Sequence, residues 1–208
     1  MKKLLSFIAA VALCLSFTAC GNKTEPQQTE QPAQSDVLVR SGYNETDGSY
    51  YNSYTQITVT PPGDWYIYRD SDLAAAYLDG RVTGDELSVW GSAEFAQQTV
   101  IPDIAFMDMA NNNSFSVVYV NLANVENGAD MDETAFLNLV AQAKGAQGFG
   151  ADQEMYATVG GKDFKLLQLT GENHNIYMLA KKQDNYMAVI TATDHSGIGG
   201  DVFLGFVS

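Results

Sequence analysis

Alternation of apolar and polar residues predicts β-strands over much of the chain. In the longest early run, Phe115, Val117 and Tyr119 fall on one face. Short segments of turn composition separate the last three runs, and connections of that length join neighbouring antiparallel strands. The pattern therefore predicts an antiparallel meander in the second half of the chain. The runs with strand character are residues 55–60, 114–122, 165–170, 175–181 and 186–193.

Helical periodicity is confined to a few segments. The first of them is alanine-rich, with an acidic start and a closing Gly80 that suit the two ends of a helix. In the second, Asp130–Glu133 fits a capping box, and apolar residues then recur at helical spacing until Gly145. The predicted helices are residues 70–80, 130–145 and 201–207, and a loosely helical stretch is expected at 84–98.

Together these elements predict an α+β domain, with a single antiparallel β-sheet of about six strands flanked by helices. We expect residues 37–208 to form this domain as one unit, because the sequence contains no internal repeat. A chain of that length buries roughly 70% of the surface that its unfolded form exposes. One hydrophobic core is therefore sufficient to stabilise the whole domain.

The first 19 residues have the layout of a secretory signal peptide. Two lysines give a positive start, and an uncharged apolar run continues to Ala19. This run is shorter than the roughly 20 residues that a membrane-spanning helix needs. The segment Phe17–Gly21 resembles the lipobox of bacterial lipoproteins, although Phe17 stands where Leu, Val or Ile is usual. The resemblance implies that Cys20 carries a diacylglyceryl group as the mature N-terminus; the alternative is an ordinary cleaved signal with a chance cysteine.

Residues 20–36 have the composition of a flexible tether between that lipid and the domain. Gln, Glu, Thr and Pro dominate after Cys20, and Ala33 is the only hydrophobic residue among them. A segment of this kind cannot bury enough surface to fold. We therefore expect a lipid-anchored protein of the cell membrane whose domain lies on the extracytoplasmic face.

The charge balance is strongly acidic. The chain has 25 acidic and 11 basic residues, for a formal charge of −14, and loss of the signal would leave nine basic residues and a charge of −16. A field of this sign repels nucleic acid, so no nucleic-acid partner is expected. Both cysteines lie within the first 20 residues, which leaves no disulfide framework or thiol site for the folded domain. A monomer is expected.

Several motifs are similar to those of known exported domains. Pro62–Trp65, after a predicted strand, is similar to the Pro-x-Gly-Trp opening of small domains related in fold to PsbP, the extrinsic photosystem II protein. Blocks at residues 107–122, 159–162 and 186–191 resemble lipoproteins of unknown function from Gram-positive bacteria. These resemblances imply a PsbP-like α/β/α sandwich and an accessory or docking role, since members of the wider fold act in that way.

The mature chain has few residues that could act in catalysis. His174 lies in a predicted hairpin turn and His195 in a polar loop, and neither belongs to a catalytic or zinc-binding motif. Both are interpreted as solvated loop histidines. Paired carboxylates could hydrolyse glycosidic bonds without histidine, but among 25 acidic residues no single pair is informative. We therefore expect no enzymatic activity, no metal and no cofactor.

Three further motifs have structural interpretations. Asp130–Glu133 lacks the spacing of a calcium-binding EF-hand loop, and helix capping explains the same residues. Gly160 and Gly161 lack the frame of a phosphate-binding loop and are expected to form a two-residue hairpin turn. Asp103 and Asp108 flank an apolar run and are expected on the solvent side or at the ends of a strand.

Aromatic residues are the remaining candidates for a binding surface, because Tyr and Trp can stack on sugars or anchor protein interfaces. Tyr50 and Tyr51 lie in a segment rich in Gly, Ser and Asn, whereas the position of Trp65 also suits core or edge packing. The sequence thus predicts a non-enzymatic binding or accessory protein of the cell envelope. Tyr50, Tyr51 and Trp65 form its candidate surface for an envelope protein or a glycan. The alternative is a carboxylate-based hydrolase or binder of glycans.

Overall fold

The computed structural model describes residues 48–78, 81–152 and 154–208. The predicted signal peptide, Cys20, the tether and Gly80 lie outside the described residues. The strands are β1 (Tyr50–Asn52), β2 (Ile57–Val59), β3 (Tyr66–Ile67), β4 (Val100–Met107), β5 (Ser114–Asn121), β6 (Gly150–Ala151), β7 (Met155–Val159), β8 (Lys162–Thr170), β9 (Asn175–Gln183) and β10 (Tyr186–Asp194). The helices are α1 (Asp70–Tyr77), α2 (Gly84–Val89), α3 (Ser92–Ala96), α4 (Glu133–Gly145) and α5 (Gly200–Leu204).

Eight strands form the main sheet, in the order β3-β4-β5-β10-β9-β8-β6, with β7 also paired to β8. Every pair is antiparallel, and β8, β9 and β10 follow one another as the predicted meander. The α+β class and the flanking helices are confirmed. The sheet has more strands than the six expected because β3 and β6, at its two edges, are only two residues long, too short for alternation to show.

Both faces of the sheet are buried. On one face, α4 packs through Phe136, Leu137 and Val140 against side chains of β5, β8, β9 and β10. On the other face, α5 and the small β1–β2 sheet cover a second apolar cluster. Because both faces are covered, all eight residues of β5 are buried. This second cluster supports the functional site described below.

Local sequence signals explain the helix and turn positions. The Asp132 side chain accepts a hydrogen bond from the Ala135 backbone N–H at 2.8 Å and begins α4, as the capping interpretation predicts. Gly160 and Gly161 have φ values of +56° and +70°, which a tight two-residue hairpin requires, and they join β7 to β8. The stretch at 84–98 contains two short helices, and the terminal helix ends at Leu204.

The first predicted strand is shorter than expected. Only Ile57–Val59 is extended, because Gln56 has a φ of +55° and its backbone N–H bonds to the Asn52 carbonyl. Those contacts close a turn at residues 53–56 in place of a strand. Within the described part of the chain, no helix is both long and apolar enough to cross a membrane.

Candidate functional site

A groove with a volume of about 320 Å³ opens where the sheet face beside α5 meets the edge formed by β6 and β7. We call it the edge groove. Its floor comes from β7, β8 and β9, and its opposite wall from the loop after β10 and from α5. The volume is near the lower end of the roughly 300–1,000 Å³ range of ligand pockets. The lining residues are Met155, Leu166, Gln168, Tyr177, residues 198–201 and Leu204.

The wall of the groove is fixed by Asp194, the last residue of β10. Its buried carboxylate accepts hydrogen bonds from four successive backbone N–H groups, those of residues 196–199, at 2.7 to 3.2 Å. Gly197 and Gly199 have φ values of +75° and +90°, a region that favours glycine and lets the loop curl around the carboxylate. Asp194 therefore holds the loop that shapes the groove.

Burial alone would raise the pKa of Asp194, but the backbone N–H groups at Gly199, Gly197, Ile198 and Ser196 together hold it below its usual value near 3.8. The folded state then binds the proton less readily than the unfolded state. The resulting stabilisation is complete above the unfolded pKa and is lost as the pH falls through the folded value.

We expect Asp194→Asn to lower the free energy of unfolding at pH 7 by about 2 kcal/mol, because charge-assisted hydrogen bonds become neutral ones. Urea unfolding at pH 7 and at several values below 4 measures this, and the difference from wild type should shrink as the pH falls. Asp130→Asn, an exposed carboxyl outside the loop, should match wild type. A constant deficit at every pH would contradict the assignment.

Gly200 packs directly against the ring of Tyr177. A Cβ atom at position 200 would lie 2.8 Å from Cε1 of Tyr177, a residue that is only 8% exposed. Glycine at this position therefore lets α5 begin directly against the tyrosine ring. Beneath α5, a small apolar void shares Tyr177 and Leu204 with the groove.

The edge groove combines apolar walls with few polar groups. Met155, Leu166, Ile198 and Leu204 supply the apolar surface, and Asp201 supplies the one carboxylate among the lining residues. Glycoside hydrolysis of the common type needs two carboxyl groups about 5 to 9.5 Å apart. Within the described ranges, no group of three or more His, Cys, Asp or Glu side chains could hold a metal ion.

Next to the groove, β7 forms an edge of the sheet. It pairs with β8, and its Tyr156 side chain is 74% exposed. The Lys165 ammonium lies 5.4 Å from the centre of the Tyr156 ring and 3.5 Å from a carboxylate oxygen of Glu154. This exposed tyrosine was not among the predicted site residues, since its position next to a predicted hairpin did not show which edge of the sheet it would occupy.

The three aromatic residues predicted as a surface are not among the residues that line the edge groove. Tyr50 is 2% exposed, and its hydroxyl donates to the Asp103 carboxylate, so the expectation that it lies on the surface is wrong. Tyr51, which alternates with it on β1, is 49% exposed. Trp65 is half-buried and makes edge contacts with Phe106, Phe203 and Phe206.

Asp103 is also buried, which corrects the prediction that it marks a solvent side or an end of a strand. It lies at a bulge in the middle of β4, where the pairing with β5 shifts between Pro102 and Ile104. Besides Tyr50, the Asn52 amide donates to Asp103 at 3.0 Å. Asp108 follows the end of β4, as expected, and accepts backbone N–H groups of the next turn.

The two histidines lie side by side at one end of the sheet. The rings of His174 and His195 are stacked with centres 4.5 Å apart, and Phe149 packs edge-on against His174 at 5.1 Å. His195 is exposed, as predicted, whereas His174 is partly buried. Burial, His195 and Lys144 together lower the pKa of His174 below its usual value near 6.5.

We expect NMR titration of the two imidazoles to give His174 a pKa below 6.5, and His195→Asn to raise it by removing the neighbouring charge. Because the folded state favours neutral His174, its contribution to stability is present above pH 6.5 and is lost as the pH falls through the folded pKa. A pKa of His174 that does not respond to His195→Asn would contradict a direct interaction between the rings.

The chain is similar to known proteins in structure only. No protein-family model matches the chain, and no curated protein matches its sequence. Among solved structures, the chain is similar to cyanobacterial PsbP (CyanoP) from Synechocystis sp. PCC 6803, with 12% sequence identity over 83% of this chain and 88% of that chain. The TM-score is 0.38, which does not establish a common fold. The chain therefore has a PsbP-type protein as a distant structural neighbour, and no family is assigned to it.

Proposed function

We propose that the chain is a non-enzymatic binding or accessory protein, anchored by a lipid on Cys20 at the extracytoplasmic face of the cell membrane, and that it binds its partner at the edge groove. The observation that carries the binding role is the groove itself, a concave site with apolar walls and one carboxylate beside an exposed strand edge. The anchor is supported by the signal-like first 19 residues, the lipobox-like segment at Cys20 and the polar tether after it.

Membrane fractionation tests the anchor. We expect the wild type and Cys14→Ala to sediment with membranes, because Cys14 lies inside the predicted signal peptide, and Cys20→Ala to appear in the soluble fraction. Two acyl chains account for the difference, since each buried methylene contributes about 0.8 kcal/mol. Membrane association of Cys20→Ala that equals wild type would overturn the anchor.

Capture of envelope components by the full-length chain tests the groove. Met155→Asp places a charge on the apolar wall at a side chain that is already 48% exposed, so the fold should tolerate it. Val89→Asp makes the same type of change at an 80% exposed side chain on α2, outside the groove lining. We expect the wild type and Val89→Asp to retain one common envelope component and Met155→Asp to lose it. Retention of nothing, or equal retention by all three proteins, would overturn the binding role of this groove.

No described feature favours the alternative of a glycan hydrolase. Its chemistry requires a second carboxyl group facing Asp201 across the groove, and the described lining residues provide only one. Exposed Tyr51 could stack on a sugar, but it lies on β1, which contributes no lining residue. Binding of an envelope protein is therefore the function that we put forward.

A further inference from the structure

We propose that β7 accepts an extended basic segment of another protein as an added β-strand, with a lysine or arginine side chain of that segment lying in the edge groove. This inference rests on the proposed function and names the partner class of its groove. Strand addition to a sheet edge provides affinity through main-chain hydrogen bonds, and a neighbouring pocket for an alternate side chain provides specificity. The two features meet here at Met155, which belongs to both β7 and the groove.

The backbone of β7 has hydrogen-bonding groups directed outward. Its two-residue hairpin makes Val159 and Lys162 the first hydrogen-bonded pair, so Ala157 and Met155 also bond to β8. The N–H and C=O groups of the intervening Tyr156 and Thr158 therefore point away from β8. In the part of the chain that the structure describes, β8 is the sole partner strand of β7.

Unlike many natural sheet edges, β7 lacks protection against pairing. Edge strands are commonly defended by a lysine, a proline, a bulge or very short length. The five residues of β7 read MYATV, with no charge and no proline, and its pairing with β8 runs without a bulge. The opposite edge strand, β3, is only two residues long. The edge that lies beside the groove is thus the one suited to accept a further strand.

An added strand would bring its side chains to both faces of this edge. Cross-strand neighbours lie about 5 Å apart, so the side chain opposite Met155 would stand at the mouth of the groove. On the other face, a side chain opposite Tyr156 would contact the exposed aromatic ring. Two successive side chains of the added strand would thus be recognised, one on each face of the sheet.

Charge identifies the partner as basic. A lysine or arginine side chain has an apolar stem that can lie along Met155, Leu166 and Leu204, and a cationic end that can reach the Asp201 carboxylate. The chain as a whole carries a formal charge of −14. Two copies would repel each other, whereas a basic segment would be attracted. A second copy of this chain is therefore the less favoured occupant.

The test uses a labelled ten-residue peptide of alternating valine with threonine or lysine, and the full-length chain in detergent. Fluorescence anisotropy measures the dissociation constant. Thr158→Pro removes an N–H that does not bond to β8, so it weakens the outer edge without breaking the existing pair. We expect it to weaken binding about tenfold or more, and Asp201→Asn about threefold or more. Asp130→Asn, an exposed carboxyl elsewhere, should bind as wild type does.

Two further measurements, with a glutamate peptide and by amide NMR, test the same inference. The same peptide with glutamate in place of lysine should not bind, and amide NMR shifts caused by the lysine peptide should centre on residues 155–159 and 198–201. Equal binding by all variants, shifts elsewhere, or a dimer that Thr158→Pro disrupts would overturn the inference. If the peptide fails to bind while Met155→Asp still abolishes capture of an envelope component, this inference is wrong and the proposed function stands.

Discussion

Replacing Gly128 by alanine is expected to lower the free energy of unfolding by about 3 kcal/mol, because the added methyl group has no space. A Cβ atom at this buried position would overlap the carbonyl oxygen of Leu122 and lie 3.0 Å from Cβ of Val125. The first contact is with backbone, so no side-chain rotation can relieve it. The turn that carries Gly128 leads into α4, and the displacement should loosen the packing of that helix on the sheet.

Urea unfolding of the full-length chain measures this effect, and Gly145→Ala is its matched control. Gly145 is the last residue of α4, and no heavy atom other than those of its chain neighbours and the backbone of α4 lies within 4 Å of the position that its Cβ would take. Alanine there should be neutral or should stabilise by roughly 0.4–1 kcal/mol, since it lowers the entropy of the unfolded chain. Equal stability of Gly128→Ala and wild type would show that the turn at residues 122–128 can shift at little cost.

Asp103→Ala should be the most damaging change to the polar interior, with an expected loss of about 3–5 kcal/mol, since two buried donors are left unsatisfied at about 1–3 kcal/mol each. The Tyr50 hydroxyl and the Asn52 amide would both lose a buried acceptor. Burial, and after it the charge of Asp103, raises the pKa of the Tyr119 hydroxyl well above 10, and Tyr119 would lose that neighbouring charge. Because Tyr50 and Asn52 belong to β1, the small sheet should detach from β4 before the main sheet unfolds.

Asp103→Asn separates charge from shape in the same experiment. It keeps one oxygen acceptor, so we expect a smaller loss of about 1–3 kcal/mol. Asp108→Ala removes a carboxylate at the end of the same strand, where its partners are exposed, and should cost about 1 kcal/mol or less. If Asp103→Ala proved no more harmful than Asp108→Ala, the buried network would not be what holds β1 against β4.

The elements with long, regular periodicity were predictable from the sequence. The meander and α4 each repeat one pattern over at least nine residues, and their tertiary contacts agree with their local preferences. Asp103 was misplaced because it is itself the extra residue of a bulge in β4, where the alternation of sides is interrupted. Alternation alone cannot locate such an insertion, so a buried aspartate in mid-strand looks like a solvent-facing one.

The edge groove could not be found from the sequence, because its residues come from four segments and meet only through the pairing of β8 with β9 and the position of α5. The histidine pair did leave a signal. A two-residue turn at Asp184 and Asn185 pairs Gln183 with Tyr186, and the same register continued along both strands places Asn175 opposite Asp194. One step further brings His174 and His195 together. Assigning the two-residue turn at residues 184 and 185 from the sequence would therefore have predicted the contact between the two histidines.

The order of strands in the sheet has a consequence for how the chain folds. β8, β9 and β10 are joined by short turns, so their pairing closes very small loops and can occur early. The pairing of β10 with β5, by contrast, joins residues at least about 65 positions apart. Closing a loop of that size costs conformational entropy before any stabilising contact between the two strands has formed. The C-terminal meander should therefore serve as the template onto which β5 and β4 dock late. A transient population of open meander, with β10 as an uncovered apolar edge, would then be the species most prone to aggregate during synthesis.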